Sequence, residues 1–296
     1  MSRLIALVVA AGLIVAAILI RGVVDDDSND SSQQHDGPIR VVCATEIYAA
    51  CAALDPGRYE ARGEDAAVTA RSLSGDDEPD FDVWIAPSSW PGIVDDARTR
   101  TGGTPTLVAE EERVARSPIV VVGGDGVAGC DWHCIGGKAF SLGAASPSSG
   151  LGTLELGAAA TGYFGRSTFA ANDLDTAFGS WLEGMTERVV TNDQPVTTLL
   201  QSRAFFDVAI STEADAKTEL DAASADRKAG LSLQYPAPVA YVDVVAVDVD
   251  PARARVAAGV ARTVGSLLES RGWKAPSSSA DGLPRPGVLA ALRELL

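Results

Sequence analysis

An α/β fold with mainly parallel sheets is what this chain predicts, and three observations carry the prediction. Strand-like and helix-like runs alternate from residue 39 onward, the pattern that lays helices over a parallel sheet. Some strand-like runs are apolar without a break, as in Ile119, Val120, Val121 and Val122, which suits strands covered on both faces. Polar or proline-braced segments at 113–118 and 234–238 read as two crossings between lobes. They divide the body into one lobe of 39–115 with 239–296 and a second lobe of 116–238.

Taken in order, 39–43 reads as a strand and 47–54 as a helix, followed by a strand at 59–62 and a helix at 66–73. Residues 81–86 form a strand that stops at Pro87, and 112–123 form a long buried one. A strand at 140–145 leads into Ser146-Pro147-Ser148-Ser149-Gly150 and then a helix to about residue 161. The periodicity predicts helices at 178–190 and 197–204, a strand at 205–210 and a β-branched strand at 239–249. A helix over 251–271 has Pro251 at its first position and Gly272 just past its end. Internal repeats are absent.

Ahead of the body, residues 4–20 are apolar or small and uncharged, a run that as a helix is roughly 26 Å long, close to the hydrocarbon thickness of a bilayer. A cleaved signal peptide competes with an uncleaved anchor here. The bulky Ala17-Ile18-Leu19-Ile20-Arg21 end offers no small-residue cleavage site, which favours a single-pass signal anchor over 1–24 with the body outside the cytoplasm. The acidic, polar 25–38 segment then reads as a disordered tether. A net charge of −16 speaks against nucleic acid and against a polybasic membrane-surface role.

The four cysteines fit an oxidising compartment. Of three connectivities, the local pairs Cys43 with Cys51 and Cys130 with Cys134 are the economical choice; Cys130, His133 and Cys134 are also a soft-ligand cluster, but a tetrahedral zinc site wants further distant ligands. No metal or cofactor is expected. Gly124-Asp125-Gly126-Val127-Ala128-Gly129 matches a dinucleotide fingerprint, yet no amphipathic helix is expected to open inside it and no acidic residue stands about twenty positions on. Catalysis is poorly supported too: the chain has two histidines, and Ser148-Ser149-Gly150 lacks the nucleophile elbow, so a hydrolase with Ser149 in that turn is the weakest reading.

What remains is a set of strand-to-helix turns rich in small polar residues: Ala44-Thr45-Glu46, Pro87-Ser88-Ser89-Trp90, Ser146 to Gly150, and Ser211-Thr212-Glu213. In open α/β sheets ligands bind beyond the carboxyl ends of strands, where hydroxyls and helix N–H groups converge. Thr45, Glu46, Ser88, Ser89, Ser148, Ser149, Gly150 and Ser211 are therefore candidate contacts, with ordinary N-capping as the competing role for the hydroxyls. Tyr235, on the second crossing, either closes over a ligand or packs as a hinge aromatic.

The stretches 39–46, 81–90, 115–122, 145–151 and 206–212 occur in an order that resembles bacterial extracellular solute-binding proteins, with the type II periplasmic-binding fold of the molybdate/sulfate-like branch. The resemblance implies two lobes closing over a small solute, an oxyanion among the candidates, for an ABC-type importer. It assigns Thr45 and Ser88 to one side of the cleft and Ser148, Ser149 and Gly150 to the other. Glu46 departs from that pattern, because it would repel an oxyanion if it faced the cleft. An envelope interaction domain that keeps the fold without a solute is the second reading.

Overall fold

The computed structural model describes residues 37–296, apart from 76–77, 106, 108–110, 138 and 250–254. Residues 1–36, which hold the expected anchor and nearly all of the tether, lie outside the described residues, as does the expected helix start at Pro251. Among the described residues, no helix is long and apolar enough to cross a membrane.

The chain runs β1 (Ile39–Ala44), a single 3-10 turn (Thr45–Ile47), α1 (Tyr48–Cys51), β2 (Tyr59–Glu64), α2 (Ala66–Leu73), β3 (Val83–Pro87) and α3 (Ser89–Arg100). It continues with β4 (Glu112–Gly123), α4 (Trp132–Gly137), β5 (Leu142–Ala144), α5 (Gly150–Phe164), α6 (Thr176–Thr186), β6 (Val189–Thr191), α7 (Pro195–Gln201), β7 (Val208–Thr212) and α8 (Glu213–Ala222). The last elements are α9 (Ala225–Lys228), β8 (Ser232–Gln234), β9 (Tyr241–Asp248), α10 (Val256–Glu269) and α11 (Pro286–Glu294).

The strands lie in the order β2-β1-β3-β9-β4-β7-β5-β6, with β8 also paired to β4. The strand β4 is the pivot. Its first half pairs with β9 as far as Pro118 opposite Tyr241, and its second half pairs with β7 from Ile119 opposite Thr212. Pro118 has no N–H to offer a ladder and so sits at the point where one pairing hands over to the other. From Ile119 to Val122 the strand is sealed from solvent, as its unbroken apolar run predicts.

Strand direction departs from the expected mainly parallel sheets. The pairs β1–β2, β1–β3, β5–β6 and β5–β7 are parallel, whereas β3–β9, β4–β9, β4–β7 and β4–β8 are antiparallel. The reason is connectivity: β4 and β9 carry the chain from one half of the sheet to the other and run against the parallel strands they meet. Other elements also differ. The expected helix over 178–190 stops at Thr186, because Val189, Val190 and Thr191 are β-branched and pair in register with β5. The turn expected at 87–90 runs straight into a helix over Ser89–Arg100 that was not among the expected elements: Pro91 and Gly92 fall in its first turn, where a missing N–H costs nothing. A helix does follow the glycine fingerprint, at Trp132, but it starts outside the motif, whose middle is a single 3-10 turn over Asp125–Val127.

Both cysteine pairs are local, Cys43 with Cys51 and Cys130 with Cys134. The first pins the end of β1 to α1 and is fully buried, its partners eight residues apart. Closing so short a loop stabilises by about 2–3 kcal/mol in the chain-entropy account. Replacing Cys43 and Cys51 together by Ala is therefore expected to lower the melting temperature by roughly 5–10 °C. Thermal unfolding checks this, and an unchanged melting temperature would contradict it.

Candidate functional site

The parallel strands β1, β2, β5 and β7 end in turns that meet the N-termini of helices, and two of those N-termini touch. A Cβ at Gly150 would lie 2.8 Å from Ala66 Cβ, so the first residue of α5 is pressed against the first residue of α2. Only a glycine allows that approach. Asp65 occupies the junction: its Oδ1 accepts from Ala67 N at 2.9 Å to cap α2, and its Oδ2 accepts from Gly150 N at 2.8 Å. Trp90 Nε1 donates to the Gly150 carbonyl at 3.3 Å from a third direction. The Gly150 N–H at the end of the Ser146–Gly150 turn thus meets a carboxylate of the same chain.

Ser149 is the N-cap of α5. Its Oγ accepts from Gly152 N at 3.1 Å and donates to the Ser146 carbonyl at 2.7 Å, so the capping role applies here. Ser148 is exposed, its Oγ lies 3.0 Å from Ser146 Oγ, and its carbonyl accepts from Arg293. Thr45 donates to Glu46 Oε2 at 3.3 Å in the turn after β1. Ser89 is buried in the first turn of α3, and Ser211 is buried on β7 opposite Val120. Ser88 lines a separate cavity of about 220 Å³ with Arg113, Asp243 and the 276–281 loop. There Arg116 forms a 2.8 Å ion pair with Asp243.

Tyr235 is engaged: its hydroxyl donates to Glu213 Oε1 at 2.6 Å. Lys217 reaches the same oxygen and Lys274 reaches Oε2 at 2.6 Å. Burial alone would raise the Glu213 carboxyl, but the donors Lys217, Lys274 and Tyr235 outweigh it and hold the pKa at about 2. His133 packs among aromatic rings, stacked 6.1 Å from Trp181, which leaves Ser149 with no histidine in its described hydrogen bonds.

Two carboxylates stand out electrostatically. Glu155, on the second turn of α5, is 3 % exposed and accepts one hydrogen bond, from Ala145 N at 3.1 Å to Oε2. Burial pushes its pKa up to about 8, and the negative charge of Glu46 adds to the rise. Glu46 itself is pushed up to about 7, first by burial and further by Asp65 and Asp215. In both residues Oε1 is sealed from solvent and has no hydrogen-bond partner among the described residues. Asp215 in turn receives the Thr212 hydroxyl at 2.8 Å, at the start of α8.

The junction therefore draws Glu46, Ser149 and Gly150 from the expected contacts and adds Asp65, Glu155 and Asp215, which the sequence reading passed over. Glu155 carried a signal, since it is the single charge in an apolar run from Leu151 to Thr161. Asp65 sat between an expected strand and an expected helix, where an N-cap belongs.

No family model matches the chain, and no curated relative matches it. Among solved structures, a ferric binding protein from Campylobacter jejuni aligns with a TM-score of 0.56 at 11 % identity, over 86 % of this chain and 95 % of that one. The periplasmic binding protein AfuA from Actinobacillus pleuropneumoniae, with fructose-6-phosphate bound, gives 0.54 at 11 % identity, over 84 % and 88 %. The sulfate-binding protein SubI from Mycobacterium tuberculosis gives 0.50 at 16 % identity, over 87 % and 91 %. The described body has the type II periplasmic-binding-protein fold, a mixed α/β architecture that these neighbours use as binding proteins.

Proposed function

From that fold we propose that the chain is an extracytoplasmic solute-binding protein without catalytic activity, which holds a small solute where the turns after β1, β2, β5 and β7 converge. The observation that carries the reading is the contact between the N-termini of α2 and α5, with two buried, unpartnered carboxylate oxygens beside it. One half of the sheet supplies Glu46 and Asp65, and the other supplies Ser149, Gly150 and Glu155. Residues 4–20 would anchor the protein in the cell membrane, and an ABC-type importer would take the solute. The crossings in β4 and before β9 would serve as the hinge, dividing 39–115 with 239–296 from 116–238.

A thermal-shift screen of the full chain in detergent tests this, with oxyanions, sugars, amino acids and amines as probes. A ligand at about 100 times its dissociation constant stabilises by about 2.7 kcal/mol, a rise of roughly 5–10 °C. A flat response from folded protein would overturn the reading in favour of an envelope interaction domain without a solute. Two contacts favour that second reading: Asp65 already fills the junction, and α11 packs against both α3 and α5.

A further inference from the structure

The amino ends of β5 and β7 hold a second cavity, at the opposite end of those strands from the junction. Leu142 and Val208 pair at the start of the two strands, and Gly123 pairs with Val208 where β4 ends, so three strands finish together there. The cavity measures about 360 Å³. Phe140, Val208 and Leu231 give it apolar walls, and Gly126, from the glycine pattern that forms no dinucleotide site, contributes wall without a side chain. A Cβ built on Gly126 would lie 3.5 Å from Phe140 Cε1, an ordinary contact, so a larger residue is tolerated there and would narrow the space.

Beside this hole stands a knob. Phe205 is 61 % exposed, the most exposed large apolar side chain among the described residues. Its neighbours two positions away on either side, Arg203 and Asp207, both line the cavity. They carry opposite charges, are themselves exposed, and do not pair with each other. Arg203 donates to the Ala229 carbonyl, its one hydrogen bond among the described residues, and has no carboxylate partner among them. Asp207 Oδ2 accepts from Ser141 N at 2.9 Å and Ser141 Oγ at 2.8 Å, and its Oδ1 takes no described hydrogen bond.

One patch thus holds an aromatic knob, an apolar hole, a cation and an anion. A surface that carries both halves of each contact is complementary to itself under a two-fold rotation, which sets residue i on one copy against j on the other and j against i. Roughly 150 Å³ suffices to hold a benzene ring, so the cavity can take a phenyl group. Aromatic side chains seated in desolvated pockets are the usual anchors of interfaces.

We propose that this face is a two-fold interface between two copies of the chain, in which Phe205 of each copy enters the other copy's cavity and Arg203 of each meets the other's Asp207. With one aromatic anchor per side it belongs to the small, transient class of interfaces, below about 1,200 Å² in total. Dissociation constants on the order of 10 μM are expected. The contact leaves the junction free and does not depend on what binds there.

Sedimentation equilibrium of the full chain in detergent tests this, at about 0.15 M salt so that the net charge of −16 on each copy is screened. The apparent protein mass is expected to rise with concentration from 30.5 kDa toward twice that value. Phe205→Ser removes the knob, Gly126→Leu fills the hole and Arg203→Glu sets two negative charges together; each should weaken association about tenfold or more with little change in melting temperature. Mixing the Phe205→Ser and Gly126→Leu proteins should restore part of it, because one intact knob then meets one intact hole. A monomer at all concentrations up to about 200 μM would overturn the proposal. Association that none of the three changes weakens would also overturn it, since the N-terminal apolar segment or another face must then be responsible. So would a monomer whose melting temperature rises with indole or benzoate unless Gly126→Leu is present, an outcome that gives the cavity to a small apolar ligand.

Discussion

Between pH 5 and pH 8 the protein is expected to lose stability steadily, and Glu155 is the main reason. Its ordinary value is 4.5 and burial lifts it to about 8, so across this window the folded state keeps a proton that the unfolded chain has released. A carboxyl raised in the fold contributes fully below its unfolded value, and that contribution is lost as pH climbs through the folded one. The slope approaches ~1.4 kcal/mol per pH unit for each such proton, which puts Glu155 alone on the order of 4 kcal/mol over the range. Glu46, raised to about 7, and Asp243, raised by burial to about 6 against the pull of Arg116, act in the same direction. Glu213 acts in the opposite sense. Held at about 2 by Lys217, Lys274 and Tyr235, it contributes stability above its unfolded value that is lost as pH falls toward 2.

The maximum should therefore lie near pH 5, set between these opposing groups. Urea unfolding at pH 5, 6, 7 and 8 measures it, and Glu155→Gln should flatten the curve because its amide does not titrate. A wild-type stability that stays level from pH 5 to 8 would mean that Glu155 is not shielded as described.

The parts of this molecule that were legible in sequence are those decided locally. The boundaries of β4 and α2 agree with expectation residue for residue, and the unbroken apolar run Ile119 to Val122 lies at the heart of the first. Strand direction was not legible. Whether β4 and β9 run with or against their neighbours depends on which side of the sheet the chain enters from, and residue patterns do not encode that. Helix α3 was hidden by Pro91 and Gly92, which look like turn residues until their place in a first helical turn is known. The site divides in the same way. The Ser146–Gly150 turn was visible as a turn, but its partner Asp65 lies 85 residues away, and only the folded sheet brings them together. Sequence points chiefly to hydroxyls as the solute contacts, yet Ser149 turns back onto its own turn and carboxylates occupy the junction, because a helix N-terminus is satisfied most readily by its own neighbours.

Replacing Leu289 by Ala should be among the most damaging single changes in the protein, and the reason lies in what α11 joins. The helix packs against α3 and α5, which belong to different halves of the sheet. Both contacts use a glycine as a socket: a Cβ at Gly92 would lie 2.5 Å from Pro286 Cγ, and one at Gly157 would lie 2.5 Å from Leu289 Cδ2. Leu289 and Leu292 are completely buried, and Arg293 at the end of the helix reaches the Ser148 carbonyl. Truncating Leu289 leaves a hole against Gly157, which has no side chain to move into it, so the cost should fall toward the upper part of the ~2–5 kcal/mol range for such changes. The expected fall in melting temperature is roughly 8–15 °C. Gly157→Leu attacks the same socket from the other side by overfilling it, at about 1–3 kcal/mol or more. If α11 also sets how readily the two halves part, Leu289→Ala should enlarge the ligand-free radius of gyration in X-ray scattering while both halves stay folded. A melting temperature within about 1 °C of wild type would mean that the socket is not closed, and that Trp90 to Gly150 and Asp65 to Gly150 hold the two halves together without it.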